Sequence, residues 1–240
     1  MSVYFRGREL ALVMVTAVVL LLPTHAFAAG GAFAIDDVEI GKPGDCKVES
    51  WASFGSNSDF IAVTSPACVV NVGRPVELGF SLARFRSDGE WGTELVLKGK
   101  TNILPAELGK FGLAISGGTA FDLLTGENSA SFINIPVTFQ IIEQFKINLN
   151  AGWLYGRRED LHWLTYGAGF EWNLVKPVTV IGEVFGLAGH SAEPSTRTDL
   201  RGQLGLRFNP VDNLDIDVIY GRNVFGENAN WLTVGLNVRF

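Results

Sequence analysis

A two-residue alternation of apolar and polar side chains recurs along most of this chain and strongly constrains its fold. The final eleven residues, "NWLTVGLNVRF" (230–240), place Leu232, Val234, Leu236, Val238 and Phe240 on one face. Successive side chains of a β-strand point to opposite faces, so this pattern predicts a strand with one apolar side. The edge of such a terminal strand would be an aggregation hazard if it stayed unpaired.

Similar patterns predict eleven further strands upstream. The twelve predicted strands cover residues 46–54, 59–70, 76–85, 90–100, 110–121, 132–142, 145–155, 162–172, 177–187, 200–208, 214–221 and 232–240. Most have about 9 to 11 residues, the length with which a tilted strand crosses a bilayer. The even number and the length predict an all-β fold, an antiparallel transmembrane β-barrel of twelve strands in which the last strand pairs with the first.

A soluble β-sandwich also alternates, but three features favour the barrel. Charges are confined to one face of strand after strand. The connections at 143–144, 173–176 and 209–213 are short, whereas those at 122–130, 156–160, 187–198 and 222–229 are mostly longer, which is typical of outer-membrane barrels. Aromatic residues also gather at both strand ends on the apolar face, as in membrane-interface girdles. One predicted girdle contains Phe111, Phe145, Trp172, Phe208 and Phe240, and the other contains Trp91, Phe121, Trp153, Tyr155 and Tyr220.

The N-terminus has the pattern of a cleaved secretory signal peptide over residues 1–28. Arg6 and Arg8 precede a short apolar run (11–23), and Ala26-Phe27-Ala28 is a small-x-small cleavage site. An uncleaved membrane anchor is the alternative, but the apolar run is shorter than the roughly 20 residues of a spanning helix. Residues 29–44 are predicted to be a periplasmic segment or a partial plug that folds inward, and residues 45–240 to form the barrel.

Removal of the signal leaves an acidic protein. The chain has 19 Lys and Arg and 25 Asp and Glu, so the loss of Arg6, Arg8 and Glu9 leaves 17 against 24, a net charge of −7. There is no basic cluster, and phosphate contacts with nucleic acid require one. We therefore expect no nucleic-acid partner.

Two cysteines are predicted to form a disulfide. If "GSNS" (55–58) turns the chain, Cys46 and Cys68 lie opposite each other on the first two strands, close enough to bond in an oxidising periplasm. The alternative is two unpaired buried thiols.

The polar faces of the strands predict the lining of the lumen. Its charges are nearly balanced, with seven basic and six acidic side chains. The predicted lumen residues are Lys98, Lys100, Lys110, Lys146, Arg201, Arg207, Arg239, Glu77, Glu94, Glu171, Glu183, Asp215 and Asp217. Across the turn at 209–213, Arg207 and Asp215 are predicted to lie directly opposite each other. The inner face of residues 112–120 carries only small side chains, which leaves space for a narrow channel or a ligand-sized cavity.

The sequence offers little for catalysis. His190 and Ser191 could suggest a hydrolase at the membrane surface, but they are neighbours in a long loop without fixed geometry. Zinc-binding, phosphate-binding and CxxC motifs are absent from the sequence. We therefore predict that the protein is not an enzyme and has no cofactor or metal.

The last strand also resembles the C-terminal signal with which bacterial outer-membrane proteins engage their assembly machinery. Thr233, Gly235, Val238 and Phe240 match its polar residue, its glycine and its alternate hydrophobic positions ending in phenylalanine. The stretch "RGQLGLRFNPVDNLDIDVIYGRN" (201–223) is similar to the closing hairpins of outer-membrane proteins linked to the MetA pathway of phenol degradation, which are presumed to be transport-related. These resemblances imply outer-membrane lipid, the assembly machinery and small solutes as partners.

Two functions remain open from the sequence. The first is a narrow outer-membrane channel for small solutes, and the second is a structural or surface-interaction barrel with a closed lumen.

Overall fold

The computed structural model describes residues 32–87, 89–157, 160–190, 196–225 and 228–240. The predicted signal peptide and residues 29–31 lie outside these described residues. Within the described ranges, twelve strands form one closed barrel. The strands are β1 (Cys46–Gly55), β2 (Phe60–Asn71), β3 (Pro75–Ser87), β4 (Glu90–Leu104), β5 (Phe111–Asp122), β6 (Asn128–Ile142), β7 (Phe145–Gly156), β8 (Leu161–Val175), β9 (Val178–His190), β10 (Thr196–Val211), β11 (Leu214–Asn223) and β12 (Asn230–Arg239).

Each strand pairs antiparallel with the next, and β12 returns to pair with β1. The closing seam runs from Lys47 opposite Arg239 to Gly55 opposite Trp231. The backbones of Cys46 and Phe240 exchange two hydrogen bonds of 2.9 Å beyond its end. The apolar terminal strand therefore has no free edge, and the predicted barrel fold is confirmed.

The barrel has an apolar outer surface and a polar inner face. On β12, Leu232, Val234 and Leu236 are 47, 47 and 45% exposed on the outside. Thr233 and Asn237, which point inward between them, are 3 and 1% exposed. This arrangement is the reverse of a soluble domain, and it follows directly from the two-residue period of the strands.

The first hairpin has the predicted register. Phe54 lies opposite Phe60, and Cys46 lies opposite Cys68. The two cysteines form a disulfide with a Cα–Cα distance of 4.1 Å. The predicted cross-link is therefore confirmed.

Connection lengths alternate less regularly than predicted. Two-residue turns at 143–144, 176–177 and 212–213 face the end where both β1 begins and β12 ends, which we call the terminal rim. The six-residue connection 105–110 also lies at the terminal rim. β4 ends before Pro105, which cannot donate to a strand ladder, and Gly109 in the same connection has a φ of 73°. At the opposite rim, which we call the distal rim, β3 ends at Ser87 and β4 begins opposite it at Glu90, and the sequence between them is Asp-Gly, the strongest short hairpin signal.

Outward aromatic rings mark both rims. Trp91, Trp153 and Tyr220 are exposed toward the distal rim, and Phe111 and Trp172 are exposed toward the terminal rim. No helix among the described residues is long and apolar enough to cross a membrane.

The strand phase makes a direct prediction about stability. Leu204→Arg places a charge on the outer surface at a position that is 58% exposed, and it should lower the free energy of unfolding by about 2–4 kcal/mol in a bilayer. The matched variant Gln203→Arg should cost much less, because Gln203 points inward and its side chain contacts the Glu183 carboxylate. Reversible unfolding in liposomes measures the free energy of unfolding of both variants. Equal losses would contradict the assignment of Leu204 to the outer face and Gln203 to the inner face.

Candidate functional site

The chain before β1 lies inside the barrel. We call residues 32–39 the lumen segment. Its backbone has no strand partner, so its polar groups must bond to side chains of the wall. The N–H groups of Ala34 and Ile35 each donate to the Glu183 carboxylate at 3.0 Å. The N–H of Asp36 donates to Asn150 Oδ1 at 2.9 Å, and Asn150 Nδ2 donates back to the Asp36 carbonyl at 2.6 Å.

The end of the lumen segment contacts two further strands. The N–H of Val38 donates to Thr138 Oγ1 at 3.1 Å, and Asn102 Nδ2 donates to the Val38 carbonyl at 2.8 Å. Together with Glu183 and Asn150, these side chains come from β4, β6, β7 and β9. The lumen segment is therefore held by several strands at once, through contacts far apart in sequence.

Asp37 is the electrostatic centre of the lumen segment and is fully buried. Its two carboxylate oxygens accept from Lys146 Nζ at 3.0 Å and from Lys100 Nζ at 3.4 Å. Asp36 also accepts from Lys100, at 2.7 Å. The two lysines lie on β4 and β7, so one carboxylate bridges two distant strands. A buried cation without such a partner would be strongly unfavourable.

The protonation of Asp37 follows from these neighbours. Burial alone raises the pKa of its carboxyl, but the ammonium groups of Lys146 and Lys100 outweigh burial and lower the pKa to about 2, from an ordinary 3.8. A carboxyl whose pKa is lower in the folded state contributes its full stabilisation at pH values above its ordinary pKa. This contribution is lost as the pH falls toward 2. The contact therefore persists throughout the neutral range.

The apolar side chains of the lumen segment fit against glycines of the wall. A Cβ on Gly112 would lie 2.8 Å from Val38, and a Cβ on Gly167 would lie 2.2 Å from Ile35. A Cβ on Gly205 would lie 2.9 Å from the Phe33 ring. At these inward positions a side chain would collide with the segment. Small residues on the inner face thus leave space, as predicted, and at Gly112 the lumen segment fills it.

Two of the cavities among the described residues lie on either side of Asp37 and Val38 in the lumen segment. The larger, of about 510 Å³, is lined by Asp36, Trp51, Lys98 and Phe132 among others. The smaller, of about 300 Å³, opens at the terminal rim beside Glu39. The two share no lining residue, and Asp37 and Val38, both 0% exposed, lie between them. In this conformation the segment separates the two cavities.

A second charged cluster lies near the terminal rim and corrects one prediction. Arg207 lies opposite Asp217, not Asp215, because the chain turns at 212–213 and not symmetrically about the predicted turn 209–213, with a bulge between Phe208 and Val211. The guanidinium donates to both Asp217 oxygens, at 2.7 and 2.9 Å. It remains 3.9 Å from the Asp215 carboxylate.

Asp215 has its own partners in this cluster. Its carboxylate accepts from Arg239 and Asn209, and from Asn237 at 3.2 Å. The cluster also touches the lumen segment, because the Arg207 guanidinium lies 5.2 Å from the centre of the Phe33 ring. The lumen segment and the rim cluster are thus one connected unit.

The other predicted lumen residues are placed as follows. Lys98, Lys100, Glu77 and Arg201 line the larger cavity, Lys146, Glu171, Arg207 and Arg239 line the smaller one, and Glu94 lies near the distal rim. Lys110 differs, because it precedes β5 in the 105–110 connection and pairs there with Glu107 at 2.6 Å, exposed to solvent. A one-residue error at the start of a strand is enough to move a side chain out of the lumen.

Several residues of the barrel interior were not identified from the sequence. Asp36 and Asp37 precede the first strand, and Asn102, Thr138 and Asn150 are neutral, so charge counting on strands does not find them. Trp51, Phe132 and Phe185 point inward, although aromatic rings were predicted only on the outer girdles. The one sequence feature that could have indicated these contacts is the acidic pair in "AIDDVE" (34–39), because a segment buried among lumen lysines needs carboxylates to pair with them.

Catalytic geometry is not found in the part of the chain that the structure describes. His162 stacks on Tyr155 and accepts from Trp153 Nε1 at 3.1 Å. The His190 side chain and Ser191 lie outside the described residues. No group of three or more His, Cys, Asp or Glu among the described residues could hold a metal ion.

The rim cluster gives a prediction about buried ion pairs. Arg207 and Asp217 are 4 and 1% exposed, so Asp217→Asn removes the carboxylate that accepts two hydrogen bonds from a buried guanidinium and should lower the free energy of unfolding by roughly 3–5 kcal/mol. Asp199→Asn, which breaks the exposed Asp199–Arg201 pair, is the matched control and should cost at most about 1 kcal/mol. Similar losses for the two variants, measured by urea unfolding in micelles, would contradict the burial of the cluster.

Two porins and one outer membrane channel are among the solved structures to which this chain is similar. This chain is similar to the KdgM porin, with 10% identity, a TM-score of 0.63, and coverage of 81% of this chain and 99% of that one. It is similar to the NanC porin, with 6% identity, a TM-score of 0.64, and coverage of 80 and 98%. The COG4313 outer membrane channel from Pseudomonas putida F1 has 11% identity and a TM-score of 0.63, with coverage of 85 and 98%. At these identities the likeness concerns the fold.

Among curated proteins, none matches this chain. A family model described as "Uncharacterised conserved protein UCP029691" matches residues 17–240. That match includes the lumen segment and all twelve strands among the described residues. The chain therefore belongs to the UCP029691 family.

Proposed function

We propose that this protein is an outer-membrane channel for small solutes whose lumen is closed, in the conformation described, by the lumen segment. One observation carries the proposal: two cavities with charged residues in their walls lie in the lumen, and a single chain segment held by polar contacts separates them. Movement of that segment would join the two cavities into a path.

The location follows from the outer surface and from the comparisons. Exposed leucine, valine and aromatic side chains would be unfavourable in water and suit lipid. Two structural neighbours are described as porins and one as an outer membrane channel. We propose the same location here, with export through a signal peptide cleaved after residue 28. Assembly would use the C-terminal signal at Thr233, Gly235, Val238 and Phe240, and both termini would face the periplasm.

The contacts of the lumen segment are suited to reversible release. Its backbone groups bond to side-chain carboxylates, amides and a hydroxyl, and water can replace each of these partners. A single hydrogen bond of this kind contributes only about 0.5–1.5 kcal/mol net. The wall groups left behind would face the cavities, where water can hydrate them. Displacement of the lumen segment also breaks the ion pairs of Asp37 with Lys100 and Lys146, so these pairs hold the segment in place.

A structural barrel with a permanently closed lumen is the second candidate. The complete burial of Asp37 and Val38 favours it, as do the ion pairs of Asp37 with Lys100 and Lys146. In that case the lumen segment would act as an internal strut, and function would lie in the loops of the distal rim.

A cross-link separates the two candidates. A Cβ on Gly169 would lie 3.4 Å from the Ile35 Cβ, close to the spacing of a disulfide. We expect wild-type protein in planar bilayers to show discrete openings, the oxidised Ile35→Cys/Gly169→Cys variant to show none, and reductant to restore them. Wild-type protein with and without reductant controls for the native disulfide. Silence of correctly folded wild-type protein would overturn the channel and favour the strut.

The Asp37 bridge should set how often the channel opens. Asp37→Asn removes the charge shared by two lysines and should raise the open fraction by roughly tenfold or more. Glu107→Gln breaks an exposed ion pair outside the lumen and is the matched control, with no change expected. An unchanged open fraction for Asp37→Asn would show that the lumen segment is not the gate.

A further inference from the structure

The outer face of β3 changes from apolar to basic near the distal rim. Its outward positions are Leu78, Phe80 and Leu82, which are 51, 44 and 40% exposed, and then Arg84 and Arg86. The two arginines continue the lipid-facing phase of the strand, because alternate residues share one face. Charged side chains in this phase are unfavourable in hydrocarbon and are expected only where a polar partner is present.

An aromatic ring organises the two guanidinium groups. Arg84 and Arg86 lie 4.9 and 5.5 Å from the centre of the Trp91 ring, which itself is 46% exposed on the outer surface. Phe60 contacts this tryptophan edge-on, with the two ring centres 5.9 Å apart. Outward tryptophans lie where hydrocarbon meets head groups. The two cations are thus held at the depth of the lipid head groups.

Further hydrogen bonds fix the direction of both side chains. Arg84 Nη1 donates to Thr93 Oγ1 at 2.7 Å, and Arg86 donates through Nε and Nη2 to the Ser58 carbonyl at 2.9 and 2.5 Å. These acceptors are neutral. Among the described residues, neither arginine has a carboxylate within ion-pair distance, and each retains N–H groups without a protein acceptor. Two oriented positive charges therefore face outward without compensation from those residues.

We propose that Arg84, Arg86 and Trp91 form a binding site for a phosphate group of lipid A in the outer leaflet. Arginine binds phosphate through two parallel hydrogen bonds, and a weakly hydrated guanidinium on an aromatic ring is suited to an interface. The apolar stripe of Leu78, Phe80 and Leu82 continues below the arginines, where it would contact acyl chains. The assignment rests on the proposed orientation, in which the distal rim faces outside.

Native mass spectrometry of the folded barrel in detergent tests the site. With added diphosphoryl lipid A, wild-type protein should retain one lipid molecule, and Arg84→Gln/Arg86→Gln should bind it more weakly by roughly tenfold or more. Arg74→Gln is the matched control, because Arg74 lies in the turn before the same strand at the terminal rim, and its binding should equal wild type. The single variant Arg84→Gln provides a milder test if the double variant does not fold.

Several results would overturn the site. Equal retention of lipid A by wild-type and doubly substituted protein would do so, as would equal retention of lipid A without phosphates. Displacement of lipid A by excess inorganic phosphate would indicate a site for free anions instead.

Orientation is tested separately on intact cells. A membrane-impermeant maleimide should label Leu124→Cys, because Leu124 is 77% exposed in the connection between β5 and β6 at the distal rim. Absence of labelling, with full labelling after lysis, would overturn the orientation and with it the assignment to the outer leaflet. Binding in detergent would still report whether the arginines recognise the phosphate.

Discussion

The bridge from Asp37 to Lys100 and Lys146 is the interaction on which the interior of this barrel depends. A barrel of twelve strands is too wide for its own side chains to fill, and its wall carries cations that need counter-charges. One buried carboxylate from the lumen segment meets a lysine of β4 and a lysine of β7 and so connects distant parts of the wall. The lumen segment thereby stabilises the wall, while the wall satisfies the backbone of the lumen segment. Each is incomplete without the other.

The same two-residue period gives the barrel an apolar outer face and a polar inner face. Outward positions are apolar because lipid cannot hydrate charge, and the closed ladder from β1 to β12 leaves no backbone edge unpaired. Inward positions hold charges, amides and glycines, which match a polar segment with a few apolar side chains. The same rule makes Arg84 and Arg86 exceptional, because they lie on the outward phase. Their cation–π contacts with Trp91 place them at the membrane interface, where an anionic head group can neutralise their charge.

Local patterns in the sequence were sufficient for the strands but not for the interior. Alternation placed most of the strands, and symmetric counting about one turn placed Cys46 opposite Cys68, because both depend on neighbours in sequence. The predicted partner of Arg207 was wrong because β10 continues to Val211 and the chain turns at 212–213, beyond the predicted strand end at residue 208, and because a bulge in this extension changes the register by one residue. The contacts of Asp37 join residues more than sixty positions apart, so they depend on barrel closure and strand order. The fit of Ile35 against Gly167 is equally non-local.

Hydrogen exchange of the lumen segment tests the central claim most directly. The backbone amides of Ala34, Ile35, Asp36 and Val38 all donate to wall side chains. In the folded barrel at neutral pH, we predict that mass spectrometry will find these amides protected far beyond an unstructured peptide, and that Asp37→Asn will lose much of that protection. Exchange at the rate of a free peptide, while the strand amides stay protected, would show that the lumen segment is not held inside the barrel.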